Sequence, residues 1–122
     1  MAATRDHTKL RVFGLADSLV IDVYRATKSY PAEERFGLEA QVRRAAVSVP
    51  TNIVEGSARI TAAEYCRFLN IATASAAETQ YLLDLSVRLE MLSPAGVAPL
   101  LERYTVLVKS LKRLLFELQK RT

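Results

Sequence analysis

Apolar residues recur at intervals of three and four positions through most of this chain, the spacing that places side chains on one face of an α-helix. Four such stretches are separated by short polar breaks, and they predict helices over about residues 13–28, 38–57, 62–92 and 94–120. No stretch alternates apolar and polar residues as a half-buried β-strand does. Four amphipathic helices with short connections favour an all-α fold, an antiparallel up-down four-helix bundle.

The residues at the breaks support these helix boundaries. Pro31 ends the first helix, because the residue before a proline avoids the helical region. Thr61 begins the third helix as a capping box with Glu64, in which each side chain bonds a free backbone N–H group of the first turn. Ser93 followed by Pro94 begins the fourth helix, with serine as the N-cap and proline at the first helical position.

Two residues inside the second predicted helix interrupt its regularity. Pro50 has no backbone N–H and its ring clashes with the carbonyl of Ala46, so we expect a kink at this proline. Gly56 lies where glycine often terminates a helix, so we expect the helix to stop there. The hydroxyls of Ser48 and Thr51 are expected to bond backbone groups that the proline leaves free.

The third predicted helix carries apolar or small residues on more than one face. One face holds Phe68, Leu69, Ala72, Ala76 and Leu83, and a second holds Ile71, Ala74, Leu82 and Leu85. A single bundle buries one broad stripe of each helix, so the second face is expected to pack between subunits. Closed rotational symmetry would cover this face in every copy, and we therefore expect a homo-oligomeric ring.

The composition limits the chemistry that the chain can perform. The 122 residues are expected to form a single domain, residues 1–122, in which the polar residues 1–11 are flexible. No apolar run is long enough to cross a bilayer, and no secretion signal is recognisable, so a cytoplasmic protein is expected. The single cysteine, Cys66, cannot form an internal disulfide, and the single histidine, His7, cannot hold a metal alone. We therefore predict no metal, no cofactor and no catalytic residue, which means a protein that is not an enzyme.

Charged residues of the second and third helices allow two interpretations. Among them are three glutamates and three arginines: Glu55, Glu64, Glu78, Arg43, Arg44 and Arg59. The carboxylates could form a cluster for acid–base chemistry. However, buried carboxylates are normally paired, and the arginines lie on the same helices. We favour the second interpretation, in which these residues form structural ion pairs in the core or contacts between subunits.

The net charge of +4 is concentrated near the C-terminus. From Val97 onward there are six basic residues and two acidic ones, whereas the first 96 residues carry eleven of each sign. A surplus of cations on one helix is the type of surface that attracts a polyanion. The predicted nucleic-acid-binding residues are Lys109, Lys112, Arg113, Lys120 and Arg121. No aromatic-rich platform and no recognition-helix motif accompany them, so binding is expected to ignore base sequence.

A series of motifs between Phe13 and about Leu92 resembles one known family. The first motifs are Ala16-x-x-Leu19, Val23-Tyr24-x-x-Thr27 and Tyr30-Pro31-x-x-Glu34-Arg35-Phe36-Gly37-Leu38. The later motifs are Gln41-Val42-Arg43-Arg44-Ala45-Ala46-Val47-Ser48-Val49-Pro50, Asn52-Ile53-Val54-Glu55-Gly56, Glu64-Tyr65-x-Arg67-Phe68-Leu69-x-Ile71-Ala72 and Ser75-x-x-Glu78. Together they resemble the bacterial four-helix-bundle proteins encoded in intervening sequences of 23S rRNA genes. That family is related to the accessory variability determinant of diversity-generating retroelements.

The resemblance implies a homo-oligomeric bundle, commonly a ring of five subunits, and no established enzymatic activity. The retroelement relative binds a reverse transcriptase and nucleic acid through a basic surface, which adds both as candidate partners. Two functions are left open. One is a ring that binds RNA or DNA without sequence preference. The other is a protein-interaction scaffold that recruits another protein while its basic face is merely solvated. Neither involves a membrane or a small-molecule substrate.

Overall fold

The fold consists of four long helices, and the computed structural model describes residues 5–120 of the chain. α1 spans Arg11–Ala26, α2 spans Leu38–Ser57, α3 spans Ala62–Arg88 and α4 spans Pro94–Lys120. Short 3-10 turns occupy His7–Lys9, Thr27–Ser29 and Ala32–Glu34, and no strand occurs within residues 5–120. The prediction of an all-α fold with four helices is confirmed. No helix in this range is long and apolar enough to span a membrane.

Each long helix packs against two neighbours: α1 and α3 both contact α2 and α4. The neighbours run antiparallel. The hydroxyl oxygens of Ser48, in the middle of α2, and Ser75, in the middle of α3, lie 2.8 Å apart, whereas Gly56 near the end of α2 lies against Phe68 nearer the start of α3. The start of α1 and the last turns of α4 line one groove. Arg5, in the segment before α1, donates to the carbonyl of Arg59 in the turn after α2. The end of α2, the start of α3 and the last turns of α4 therefore share one end of the bundle.

The buried residues follow the predicted apolar stripes, except that Leu82, assigned to the second face of the third helix, is buried within the subunit. Those of α1 are Val12, Ala16, Leu19 and Val23, and those of α4 are Val97, Leu100, Tyr104, Leu107, Leu111 and Leu115. α2 contributes Leu38, Val42, Ala45, Ala46, Val49 and Ile53, and α3 contributes Tyr65, Phe68, Leu69, Ala72, Ala76, Leu82 and Leu83. Burying one large apolar side chain stabilises a fold by about 1.5–3 kcal/mol, so these stripes supply the main favourable contribution to folding.

The predicted starts of α3 and α4 are confirmed by their caps. The Thr61 hydroxyl accepts a hydrogen bond from the backbone N–H of Glu64 at 3.2 Å, and the Ser93 hydroxyl accepts one from the N–H of Gly96 at 3.0 Å. Each cap satisfies one of the N–H groups that the first helical turn leaves without an intrahelical partner.

The predicted end of α3 at about residue 92 is wrong, because the helix ends at Arg88. Glu90 adopts a left-handed backbone conformation with φ of 62°. The N–H of Met91 donates to the carbonyl of Ser86 at 2.8 Å, and the N–H of Glu90 donates to the carbonyl of Val87 at 2.9 Å. These two bonds form a Schellman motif. Glycine usually occupies the left-handed position, and its absence concealed this helix end in the sequence.

α2 continues through Pro50, which is itself buried. The Thr51 hydroxyl donates to the carbonyl of Val47 at 2.8 Å, and the Asn52 amide donates to the carbonyl of Ser48 at 2.7 Å. Side chains that follow the proline therefore bond backbone carbonyls that precede it, as expected for Thr51 and Asn52. The Ser48 hydroxyl instead lies 2.8 Å from that of Ser75. The kink itself stays a prediction.

α2 ends at Ser57, as predicted, but Gly56 does not end it through a left-handed conformation, because no glycine in residues 5–120 has a positive φ. The role of Gly56 is close packing. A Cβ atom at this position would lie 2.9 Å from the Cβ of Phe68 and 3.2 Å from the Cδ1 of Tyr65. Non-bonded carbon atoms normally stay about 3.5–4.0 Å apart, so only glycine allows α2 and α3 to approach this closely.

Part of the segment predicted to be flexible, residues 1–11, forms a 3-10 turn at His7–Lys9, and its flexibility stays a prediction. Asp6 accepts a hydrogen bond from the backbone N–H of Thr8 at 3.0 Å and begins the first 3-10 turn. His7 packs edge-on against Phe13, with 4.7 Å between ring centroids. Residues 1–4 lie outside the described part of the chain.

Candidate nucleic-acid interface

Four of the five predicted nucleic-acid-binding residues form one stripe along the outer side of α4. Lys109, Lys112, Arg113 and Lys120 are all exposed, and within residues 5–120 none of them forms an ion pair. Their spacing of three, four and eleven positions places them on one helical face, over about 16 Å of helix. We call these four residues the α4 basic face. Arg121 lies outside the described residues.

The α4 basic face lies away from the core. The positions that α4 buries in this region are Leu107, Leu111 and Leu115. Each lies one or two residues from a lysine or arginine of the basic face, which turns the charged side chains away from the buried stripe. The charges can therefore be changed without removing any core residue.

Phe116 is an exposed aromatic residue within the basic stripe. Its side chain is 61% exposed, and the Nζ atom of Lys120 lies 5.3 Å from its ring centroid. Aromatic rings next to cations provide surfaces on which unpaired bases stack. No aromatic-rich platform is recognisable in the sequence, so this single ring was not predicted. The spacing of Phe116 could have identified it, because it follows Arg113 by three positions and therefore lies on the basic side of the helix rather than in the leucine stripe.

Basic residues of the N-terminal segment extend the α4 basic face onto α1. Lys9 and Arg11 line the same open groove as Arg113, a groove of about 790 Å³ between the start of α1 and the last turns of α4. Val106 is 56% exposed at this groove, and Glu117 contributes its one carboxylate. The cationic surface thus spans two helices. The sequence predicted a cationic surface on α4 alone, because Lys9 and Arg11 are about a hundred positions from Lys109 and Arg113 along the chain.

Arg103 contributes to the charge surplus of α4 but belongs to the structure. It forms an ion pair with Asp22 of α1, and its Nη2 atom donates to the hydroxyl of Ser18 at 2.7 Å. Its side chain is only partly exposed. Arg103 therefore joins α4 to α1 and is not available to a phosphate in the way that the α4 basic face is.

Of the six residues predicted to form ion pairs or subunit contacts, only Arg43 forms an ion pair within residues 5–120. Its partner is Glu39, at 3.1 Å, and its Nε atom donates to the hydroxyl of Thr27 at 2.8 Å. Arg43 also stacks on the ring of Tyr24, with its Cζ atom 4.5 Å from the centroid. Glu39 was not predicted as the partner of Arg43, although opposite charges four positions apart on one helix commonly form an ion pair.

The other five residues of that set are exposed: Arg44, Glu55, Arg59, Glu64 and Glu78. Within the described chain no ion pair joins them, so the prediction of a salt-bridged core is wrong for a single subunit. The physical reason is their orientation, because they point away from the faces that α2 and α3 bury. Small hydroxyl side chains supply the buried polar groups instead, namely Thr27, Ser57, Thr73, Ser75, Thr79 and Ser86. Contacts between subunits stay a prediction.

Within residues 5–120, no three histidine, cysteine, aspartate or glutamate side chains converge closely enough to hold a metal ion. Burial raises the pKa of three tyrosines, Tyr30, Tyr65 and Tyr104. In each of these tyrosines, burial stabilises the neutral phenol rather than a reactive phenolate. The chemistry that this surface offers is therefore electrostatic contact with an anion.

Comparison with known proteins agrees with this architecture. The sequence model of the family described as 23S rRNA-intervening sequence protein matches residues 8–113. A crystal structure of a protein of unknown function from the S23 ribosomal protein family of Bacteroides thetaiotaomicron is similar, with a TM-score of 0.79. The two sequences are 24% identical, and the match covers 85% of this chain and 97% of that one, which supports the fold. No curated protein matches the chain. Because the family match extends over most of its length, the chain belongs to the 23S rRNA-intervening sequence protein family.

Proposed function

We propose that this protein is a non-enzymatic, homo-oligomeric four-helix bundle that binds nucleic acid without sequence preference. The observation that supports this proposal is the α4 basic face. Four exposed cations, Lys109, Lys112, Arg113 and Lys120, share one side of a helix, and no ion pair within residues 5–120 neutralises them. Unpaired cations in a row match the regular negative charges of a phosphate backbone.

The physical basis of the binding is the release of counterions from the phosphates. Contacts of lysine and arginine with phosphate oxygens supply affinity but do not distinguish one base sequence from another. Phe116 adds one stacking surface, which every base can use. We therefore expect dissociation constants of about 10⁻⁴–10⁻⁶ M, weakening steeply as salt rises.

Self-assembly would multiply these contacts. The outer sides of α2 and α3 expose Val47, Val54 and Ile71, each 37% accessible, together with the small residue Ala74. An apolar surface of this kind is favourably covered by another copy, and closed symmetry covers it in every subunit. A ring of five, which the family resemblance favours, would present the α4 basic face five times.

Charge reversal tests the proposal. In a gel-shift series with RNA and DNA of unrelated sequence at rising salt, the parent protein is expected to bind both at low salt. The triple variant Lys109→Glu/Lys112→Glu/Arg113→Glu is expected to bind neither while keeping its helical circular dichroism. The matched control is Arg25→Glu/Lys28→Glu/Arg35→Glu, which reverses three exposed cations at the opposite end of the bundle and is expected to bind like the parent. Equal loss in both variants would show that total charge, not the α4 basic face, governs binding.

One observation supports the alternative function, a scaffold that recruits another protein. An open groove of about 680 Å³ runs along the outer side of α2, and its lining includes Tyr24 and Phe36. Phe36 is 88% exposed, the largest exposed fraction among the big apolar side chains of residues 5–120. Exposed aromatic residues are typical anchors of protein interfaces. If the parent protein binds neither RNA nor DNA at low salt, this alternative replaces the nucleic-acid proposal, with a reverse transcriptase among the candidate partners.

A further inference from the structure

Three arginines gather at the end of the bundle where α2 connects to α3. Arg5 comes from the N-terminal segment, Arg59 from the turn between the helices, and Arg67 from the second turn of α3. The Nη1 atom of Arg5 donates to the backbone carbonyl of Arg59 at 3.0 Å, which joins segments 54 positions apart. We call these residues the arginine cluster. No spacing in the sequence predicts it, because only the fold brings the N-terminus onto this turn.

Each guanidinium of the arginine cluster lies over an aromatic ring of α3. The Cζ atom of Arg5 is 4.4 Å from the centroid of Tyr65, and those of Arg59 and Arg67 are each 4.6 Å from the centroid of Phe68. Tyr65 and Phe68 are themselves buried, so the rings are firmly held. Stacking on a fixed ring orients a guanidinium while leaving N–H groups at its edge free to donate hydrogen bonds.

The arrangement concentrates positive charge that the protein does not neutralise. Arg59 and Arg67 share one ring, so their charges are separated by no more than twice 4.6 Å. The carboxylates nearest in sequence are Asp6, Glu55 and Glu64, and within residues 5–120 none of them forms an ion pair with the cluster. Asp6 is already bonded to Thr8. Two like charges at this separation repel each other, and an anion that contacts both guanidinium groups relieves that repulsion.

We infer that the arginine cluster is a second phosphate-binding surface, which holds the backbone of the same nucleic acid that contacts the α4 basic face. The inference rests on the proposed function for the class of ligand, but it assigns different residues. Guanidinium groups with free N–H edges bind phosphate oxygens in pairs, which lysines cannot do. Ile60, 86% exposed beside Arg59, gives a neighbouring base or sugar an apolar contact.

The position of the arginine cluster fits this role. The end of α2 and the start of α3 lie at the same end of the bundle as the last turns of α4, where Lys112, Arg113 and Lys120 are located. The opposite end carries the exposed cations Arg25, Lys28 and Arg35, but other arginines there are neutralised, as Arg43 is by Glu39 at 3.1 Å. There Arg88 pairs with Asp84 at 3.0 Å, and Glu33 and Glu34 accompany Arg35 in sequence. A single strand that crosses the basic end of the bundle therefore meets both surfaces.

The salt dependence of binding tests the arginine cluster separately from the α4 basic face. The probe is labelled single-stranded DNA and RNA of unrelated sequence, measured by fluorescence anisotropy at several salt concentrations. For Arg59→Gln/Arg67→Gln the slope of log K against log salt is expected to become shallower by about 1.4, because each phosphate contact on a single strand contributes about 0.7. Arg59→Lys/Arg67→Lys keeps the charge and is expected to retain the parent slope with weaker affinity, because lysine loses the paired hydrogen bonds.

The matched control is Arg35→Gln, since Arg35 is also exposed and also lies over an aromatic ring, with its Cζ atom 5.5 Å from the Phe36 centroid. It lies at the opposite end of the bundle and is expected to leave slope and affinity unchanged. If the double glutamine variant loses helical circular dichroism, Arg5→Gln replaces it, with an expected slope change of about 0.7.

The outcomes separate the two proposals. Parent-like slope and affinity in Arg59→Gln/Arg67→Gln, or in Arg5→Gln where it replaces that variant, overturn the inference and leave the α4 basic face untouched. A shallower slope of log K against log salt in Arg59→Gln/Arg67→Gln, with parent-like binding in the α4 triple variant, supports the inference and overturns the proposed role of the α4 basic face. A parent protein that binds neither RNA nor DNA at low salt overturns both.

Discussion

Tyr30 and Tyr104 are both buried in the core, but their hydroxyl groups differ in hydrogen bonding. The Tyr30 hydroxyl donates to that of Ser86 at 2.6 Å, and Ser86 in turn donates to the carbonyl of Leu82. The Tyr104 hydroxyl is buried without a hydrogen bond from any residue in the range 5–120. The neighbouring Thr79 hydroxyl donates to the carbonyl of Ser75 at 2.8 Å and does not come into hydrogen-bond geometry with the Tyr104 hydroxyl. A buried polar group without a hydrogen-bond partner lowers the free energy of unfolding, so the hydroxyl of Tyr104 destabilises the fold in a way that the bonded hydroxyl of Tyr30 does not.

The two tyrosines should therefore respond differently to removal of the hydroxyl. At neutral pH we expect Tyr30→Phe to lower the free energy of unfolding by about 1 kcal/mol, because a buried hydrogen bond is lost. Tyr104→Phe should leave it unchanged or raise it, because no bond is lost. Chemical denaturation followed by circular dichroism measures both values. A Tyr104→Phe variant less stable than Tyr30→Phe would contradict the assignment.

The same burial predicts the response to alkaline pH. Burial raises the pKa of Tyr30, Tyr65 and Tyr104 above the value of 10.0 for a free tyrosine. Below pH 10 both folded and unfolded chains hold the phenol protons, so these groups add no pH dependence. Above pH 10 the unfolded chain releases protons that the folded chain retains, and stability falls as pH rises. Tyr104→Phe is expected to move the midpoint of alkaline unfolding to higher pH. An unchanged midpoint would exclude Tyr104 as a main cause.

At the scale of the helices, the close contact of α2 with α3 depends on one position. Gly56 faces Phe68 and Tyr65 at distances that leave no room for a Cβ atom, whereas Gly14 in α1 has no atom within 4 Å of the position where a Cβ would lie. Both glycines occur inside helices, where the residue is intrinsically unfavourable. Only the packing explains why glycine is tolerated at position 56.

Alanine substitution at these glycines is expected to have opposite effects. Gly56→Ala should destabilise the protein by about 1–3 kcal/mol, because the added methyl group forces α2 and α3 apart. Gly14→Ala should stabilise it by about 0.5–1 kcal/mol, because alanine favours the helix and meets nothing. Thermal melting of the two variants beside the parent provides the comparison. The packing role of Gly56 is wrong if both alanine variants melt above the parent.

At the scale of the whole molecule, the proposed assembly gives a role to exposed residues of α2. Arg44 and Glu55 are exposed, and no ion pair joins them to other residues in the range 5–120, although they belong to the motifs that resemble the family. They lie near Val47 and Val54, whose apolar side chains are partly accessible. Charged residues beside an apolar surface are the arrangement expected at the edge of a subunit interface.

We expect light scattering on the purified protein to give a mass several times the 13.6 kDa of one chain, with five subunits favoured. Arg44→Ala and Glu55→Ala should reduce this mass and leave the helical circular dichroism intact, because neither residue supports the fold of one chain. Arg25→Ala, an exposed arginine on α1, is the control and should assemble like the parent. A parent mass equal to one chain at micromolar concentration would exclude the ring, and parent-like assembly of both variants would exclude the interface role.

The sequence by itself determined the four helices and the residues that they bury. The starts of α3 and α4 were predictable because Thr61 and Ser93 act on N–H groups three residues away. The end of α3 was not, because Glu90 occupies a position that glycine usually holds. The stripes from Val12 to Leu115 were predictable because helical periodicity is a local property. The α4 basic face followed from the same periodicity.

Only the tertiary structure decided which distant residues meet. The contact of Arg5 with Arg59 and the pairing of Arg103 with Asp22 depend on how the helices are rotated and aligned, which no local spacing specifies. For the same reason the sequence could not show that Gly56 is needed for packing. The arginine cluster exists because antiparallel packing brings three separate segments to one end of the bundle.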